Sequence, residues 1–89
     1  MVHYLAGQLS SALAISAQTV VKPAAGKIVS VIVGAGGTLK IDDAATVGAI
    51  SAATTIATAL APGFYKFDFP FLNGLILTPT TSTCSVSFE

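Results

Sequence analysis

The chain has 89 residues, a formal net charge of zero and a charged fraction of 9%. A chain of this length forms one domain, and its single cysteine excludes an intrachain disulfide. Four lysines without any arginine cannot form a stripe that follows a phosphate backbone, so nucleic acid is not an expected partner. With one histidine and no Cys/His cluster in the sequence, no structural zinc and no cofactor are expected.

The low charge predicts contact with other protein surfaces. An ordinary soluble domain is about a quarter charged, and a free monomer uses that charge to stay dispersed. Because small domains often need support beyond their own core, we expect the chain to form a homo-oligomer. The alternative is that alanine, which is only weakly hydrophobic, accounts for the hydrophobic fraction of 53%.

Residues 1–16 are predicted to form an extended N-terminal arm and the first strand, and residues 17–89 a β-sandwich domain. The arm is apolar but has no basic stretch at its start, so a signal peptide is not predicted. We expect the arm to bind a partner, either by adding a strand to an exposed sheet edge or by lying on the partner's surface. The candidate partner-binding residues are Met1, Val2, His3, Tyr4, Leu5, Leu9, Leu13 and Ile15.

Alternation of apolar and polar residues predicts the strands that follow. In the strand over 38–42, Leu39 and Ile41 share the inner face, and Lys40 and Asp42 point outward. The segments 64–69 and 83–88 alternate in the same way. The segment 27–33 is apolar on both faces, which predicts a central strand covered on both sides. Weaker strands are expected over 13–17, 18–22, 55–60 and 74–78.

Turn residues separate these strands. The glycine-rich residues 34–37 predict a hairpin between 27–33 and 38–42, and Asn73-Gly74 predicts one between 64–69 and 74–78. The segment 43–53 is either a loop or a short helical turn.

The pattern as a whole predicts an all-β fold, a small antiparallel β-sandwich or jelly-roll-like single domain. The residues that alternation places inside it form the expected core. They are Ile28, Val29, Val31, Val33, Leu39, Ile41, Tyr65, Phe67, Phe69, Leu75, Leu77, Cys84, Val86 and Phe88.

The sequence offers no catalytic constellation. His3 is far along the chain from the serines and threonines that it would have to activate. The adjacent Asp42 and Asp43 are more typical of a solvated turn than of a general acid–base pair. Residues 34–37 lack the lysine of a phosphate loop, and Cys84 alternates into the core as a small hydrophobe. An enzyme is therefore not expected.

A membrane span is not expected either. The stretch 44–61 is long enough to cross a bilayer, but threonine, serine and glycine interrupt it and it contains few large apolar residues.

Three sequence elements, in this order, resemble small β-rich head proteins of tailed bacteriophages, including capsid decoration (cement) proteins. The first is KPAAGKIVSVIVG over 22–34, and the second is LKIDD over 39–43, where Ile41 occupies a position often held by an aromatic. The third is FDFPFLNGL over 67–75, whose aromatic and Asn-Gly-Leu part is the most distinctive. The resemblance covers residues 19–89.

The resemblance implies a virion protein on the capsid surface, made in the bacterial host cytoplasm, where an unpaired Cys84 stays reduced. Its implied partners are the major capsid protein and its own copies, as a trimer at three-fold positions. One alternative is another virion position, such as a neck, head-fibre or tail-attached module. A second alternative is a carbohydrate-binding module that uses Phe64 or Tyr65 if either is exposed.

Overall fold

The computed structural model describes residues 10–89, which form two four-stranded antiparallel sheets that enclose one hydrophobic core. The strands are β1 (Ser10–Ile15), β2 (Thr19–Lys22), β3 (Gly26–Val33), β4 (Thr38–Asp42), β5 (Thr55–Leu60), β6 (Gly63–Phe71), β7 (Leu75–Thr80) and β8 (Cys84–Phe88). Sheet A has the order β1-β8-β3-β6, and sheet B has the order β2-β7-β4-β5. The predicted all-β fold is confirmed. No helix between residues 10 and 89 has the length and hydropathy to span a membrane.

The pairing of the strands is nested. β1 pairs with β8, β2 with β7, β3 with β6 and β4 with β5, so the chain forms one long hairpin with residues 43–54 at its tip. Two further pairings, β3 with β8 and β4 with β7, complete the sheets. Several short connections join consecutive strands of the chain that lie in different sheets. They place β1 opposite β2, β3 opposite β4 and β5 opposite β6.

The two predicted hairpins are wrong, because each of these connections crosses between the sheets. Residues 34–37 lead from β3 in sheet A to β4 in sheet B. The N–H of Gly34 donates to the carbonyl of Thr83 at 2.9 Å, and a Cβ on Gly37 would collide with the carbonyl of Thr80. These two glycines therefore permit the close approach of two crossings rather than a tight hairpin turn.

Nine of the predicted core residues are buried, and three more are partly buried against the core. The buried ones are Ile28, Val31, Val33, Leu39, Ile41, Leu75, Leu77, Cys84 and Val86; the partly buried ones are Tyr65, Phe67 and Phe88. Val29 is half-buried and does not belong to the core cluster. The buried Ile15, Ala44, Phe71 and Ile76 were not among the predicted core residues.

Phe69 was predicted to be in the core and is 45% exposed. It lies on β6, which is an edge strand of sheet A. The register of β6 against β3 shifts between Ile28 and Ser30, where Asp68 adopts a positive φ of 50°. Phe69 pairs with the buried Ile28 and so shares its inward face, but within residues 10–89 no strand of sheet A lies beyond β6 to help cover it.

The tip of the nested hairpin contains two short 3-10 turns, Val47–Ala49 and Ala52–Thr54. Ser51 caps the second turn: its hydroxyl accepts from the N–H of Ala53, and its own N–H donates to the Thr54 hydroxyl. Of the two readings of this segment, the structure thus contains short helical turns within a loop.

Candidate interaction surfaces

Within residues 10–89, no group of three or more His, Cys, Asp or Glu side chains is placed to hold a metal ion. Cys84 is 1% exposed, and its sulfur lies 3.3 Å from the hydroxyl of Ser82. His3 lies outside the described residues. The features that remain are two aspartates at the end of β4 and two exposed apolar surfaces.

Asp43 connects the end of β4 to the β6–β7 connection. Its carboxylate accepts the backbone N–H groups of Leu72 at 2.9 Å, Asn73 at 2.7 Å and Gly74 at 3.2 Å. Partial burial raises the pKa of Asp43, but the three N–H donors stabilise the carboxylate, and the net effect lowers the pKa below its ordinary value of 3.8. Asp43 therefore has a structural role and is not a freely solvated turn residue.

Asp42 was predicted to point into solvent and is instead fully buried. Its Oδ1 accepts from the hydroxyls of Thr54 at 3.1 Å and Thr55 at 3.2 Å. Among residues 10–89, its Oδ2 has no hydrogen-bond partner, and the Lys40 ammonium lies 3.6 Å from it. The prediction failed because the 43–54 segment folds back onto this part of sheet B. The expected solvated acidic turn is therefore wrong for both aspartates.

The first exposed surface, which we call the terminal end, is the end of the sandwich where β1 begins and β8 stops. Ser10 pairs with Phe88, and Phe88 and Phe69 both pair with Ile28, so these residues lie at one end. The 43–54 loop and the 72–74 connection lie at the same end, joined by Asp43. Its exposed large apolar side chains are Val47 (48% exposed), Phe69 (45%) and Leu72 (76%).

The second surface, which we call the sheet A face, is the outward side of sheet A. One row across it runs from Ser11 on β1 through Ser87 and Ser30 to Lys66 on β6. The adjacent row contains Leu13 (72% exposed), Ser85, Ile32 (52%) and Phe64 (65%).

A shallow groove of about 120 Å³ lies in the sheet A face. Leu13 on β1 and Ile32 on β3 form its sides, and serines of β8 lie between them. Sequence reasoning missed this surface. The segment 27–33, which is apolar on both faces, was interpreted as covered on both sides, whereas residues 10–89 cover only the inward face of β3.

The structure divides the predicted arm residues. Ile15 is a core residue on β1, and Leu13 is exposed on the same strand, so both belong to sheet A. The other arm residues, Met1, Val2, His3, Tyr4, Leu5 and Leu9, lie outside the described residues. The Tyr65 hydroxyl donates to the carbonyl of Ala61 at 2.7 Å, which leaves Phe64 as the exposed aromatic of that pair.

No family model, no curated protein and no solved structure matches this chain.

Proposed function

We propose that this chain is a structural virion protein that binds the outside of a bacteriophage capsid and stabilises it. Its partners in this proposal are the major capsid protein and its own copies, as a trimer at three-fold positions, and it has no catalytic role. The observation that carries the proposal is the terminal end, the end of the sandwich at which β1 begins, where Val47, Phe69 and Leu72 expose apolar side chains.

The chemistry of the chain supports docking on protein rather than on a small charged ligand. Apolar patches that are exposed on a small domain mark interaction sites. At about 25 cal/mol per Å² of buried apolar surface, each chain gains little by itself, but copies linked in an oligomer dock on a repeating lattice with high avidity. A small, weakly charged sandwich suits that role.

The nested strand pairing supports a jelly-roll topology, which is our interpretation of the order β1-β8-β3-β6 and β2-β7-β4-β5. Such a fold rigidly fixes both sheets while leaving one end free to carry loops and termini. It is therefore a suitable scaffold for a protein whose role is mechanical.

Capsid binding is tested with empty capsid shells of the phage whose genome encodes the chain. We expect wild-type protein to co-sediment with the shells, and the Leu72→Ser and Phe69→Ser double variant to bind at least tenfold more weakly. Val20→Ser, which removes an exposed apolar side chain from sheet B, is the matched control and should bind like the wild type. Failure of the wild-type chain to bind the shells would contradict the proposal.

The arm is tested separately by removing residues 1–9. This deletion spares β1, whose Ile15 belongs to the core. We expect lower shell occupancy with an unchanged free energy of unfolding. Unchanged occupancy would exclude a role for the arm.

Phe64 also favours a second candidate, a carbohydrate-binding module, because it is 65% exposed and lies diagonally across from Ser30 on the face that carries Lys66. A soluble glycan array distinguishes the two: glycan binding that Phe64→Ser abolishes would favour this candidate. A neck, head-fibre or tail-attached position would differ from a capsid position in its symmetry. The native mass of the purified chain gives the number of copies in the assembly and so distinguishes a trimer from other symmetries.

A further inference from the structure

We propose that Asn73-Gly74 is a site of spontaneous deamidation, and that the Asp43 carboxylate restrains this reaction in the folded chain. Deamidation of this kind needs no enzyme, because a backbone nitrogen attacks the side chain of the preceding asparagine. The inference goes beyond the proposed function: it concerns a chemical change in the 72–74 connection and does not depend on what the chain binds.

The reaction uses only these two residues, hydroxide and water. Hydroxide removes the proton of the Gly74 nitrogen, which attacks Cγ of Asn73; an N–C bond forms, and the side-chain nitrogen leaves as ammonia. Water then opens the resulting five-membered imide. Breaking the new N–C bond gives aspartate, and breaking the original peptide bond gives isoaspartate. Either product carries a carboxylate where the chain had a neutral amide.

The fold requires glycine at position 74 and so keeps the susceptible pair in place. A Cβ there would collide with the backbone carbonyl oxygens of Ala44 and Lys22. Glycine is also the residue whose nitrogen attacks most readily, since no side chain hinders it. Asn73 is exposed to water and is the one asparagine in the sequence. Packing therefore places a reactive amide at the surface.

Asp43 opposes the attack at the nitrogen itself. Its Oδ1 accepts from the N–H of Gly74 at 3.2 Å and from that of Asn73 at 2.7 Å. Gly74 must leave this hydrogen bond and lose its proton before it attacks, and the negative charge beside the nitrogen opposes that loss. Because the pKa of Asp43 lies below its ordinary value of 3.8, the carboxylate is too weak a base to take the proton itself.

Deamidation changes both the charge and the backbone of this connection. The new carboxylate lies next to Leu72, which is 76% exposed, so the terminal end gains a negative charge within its apolar surface. Isoaspartate also lengthens the backbone between positions 73 and 74, which displaces the N–H groups that Asp43 accepts. We therefore expect the deamidated chain to migrate as a more acidic species and to unfold more easily.

Rates of deamidation in folded variants test the role of Asp43. Each protein is incubated in mildly alkaline buffer, and peptide mapping by mass spectrometry follows aspartate and isoaspartate at position 73. Asp43→Ser should deamidate about tenfold faster than the wild type, as expected for the loss of a hydrogen bond to a charged acceptor. This variant adds no second asparagine. The wild type unfolded in urea gives the unrestrained rate, which should exceed the folded rate.

Two controls separate this restraint from general instability. Leu77→Ala weakens the core but keeps the contact between Asp43 and Gly74, so it should deamidate more slowly than Asp43→Ser. Asn73→Ser lacks the amide and should give no acidic species on isoelectric focusing.

Four results would overturn the inference. Equal rates for Asp43→Ser and the wild type would remove the restraint, and a slower rate for Asp43→Ser would make the carboxylate a base. Equal acceleration by Leu77→Ala would assign the effect to unfolding of the whole domain. A folded wild type that deamidates as fast as the unfolded chain would show that the fold gives no protection.

Discussion

Two adjacent aspartates at the end of β4 have different structural roles. Asp43 satisfies three backbone N–H groups in the connection between β6 and β7. Asp42 lies beneath the hairpin tip, where two threonine hydroxyls donate to it. Asp42 ends β4 and Asp43 follows it, so the adjacent side chains reach two different segments of the chain.

Replacing Asp43 with Asn should lower the free energy of unfolding at neutral pH by about 1–3 kcal/mol, since hydrogen bonds to a charged acceptor are lost. The folded-state pKa of Asp43 lies below its ordinary value of 3.8. The carboxylate therefore stabilises the fold fully above that value, and its contribution disappears as the pH falls through the folded-state pKa. Urea unfolding across a pH series should show the wild type and Asp43→Asn converging in acid. A constant difference down to the lowest pH would contradict this.

At the scale of the elements, β6 has the features of a protected edge strand. It contains Lys66, Asp68 and Pro70, and its bulge at Asp68 disturbs the regular ladder. Charges, proline and bulges all discourage pairing with a foreign strand. The ion pair between Asp68 and Lys27, at 3.7 Å with both side chains well exposed, adds little stability.

The bulge predicts how substitutions at Asp68 behave. Asp tolerates the left-handed conformation that its φ of 50° requires, whereas a β-branched residue does not. Asp68→Val should lower the free energy of unfolding by about 1–2 kcal/mol, and Asp68→Gly should be close to neutral. Lys27→Ala removes the ion pair without changing this backbone position and serves as the control. Equal unfolding midpoints for the Val and Gly variants would show that the backbone conformation is not the cause.

At the scale of the whole molecule, one small core supports both sheets. Leu77 lies at its centre on β7, fully buried between β2 and β4. Most of the other core residues come from strands that are distant in sequence. Removal of one large side chain therefore weakens both sheets together.

Leu77→Ala should lower the free energy of unfolding by about 2–5 kcal/mol through lost burial and the cavity that remains. That is a large share of the stability of a domain of this size. Leu72→Ala, at a site that is 76% exposed, is the comparison and should change little. Urea midpoints by circular dichroism measure both, and a similar small shift in the two variants would contradict the assigned core.

The sequence by itself determined the all-β class, the approximate bounds of the strands and most of the core. These features depend on local alternation, which the chain shows wherever one face of a strand is buried. Thr38–Asp42 and Thr55–Leu60 were predicted at their observed bounds. The tertiary structure alone decided which strands pair. The paired strands β1 and β8 are separated by most of the sequence, and a glycine-rich turn fits a hairpin and a crossing between sheets equally well.

The same division applies to the surfaces. The sequence shows that Ile32 belongs to an apolar run, but it could not show that the rest of residues 10–89 leaves the outward side of β3 uncovered. Asp42 was assigned to solvent because its burial depends on the 43–54 segment, which carries no periodic signal of its own. Phe69 was assigned to the core because alternation places it on the inward face, and the sequence does not show that β6 is an edge strand. Local periodicity determines which side chains share a face, and only long-range packing determines what covers that face.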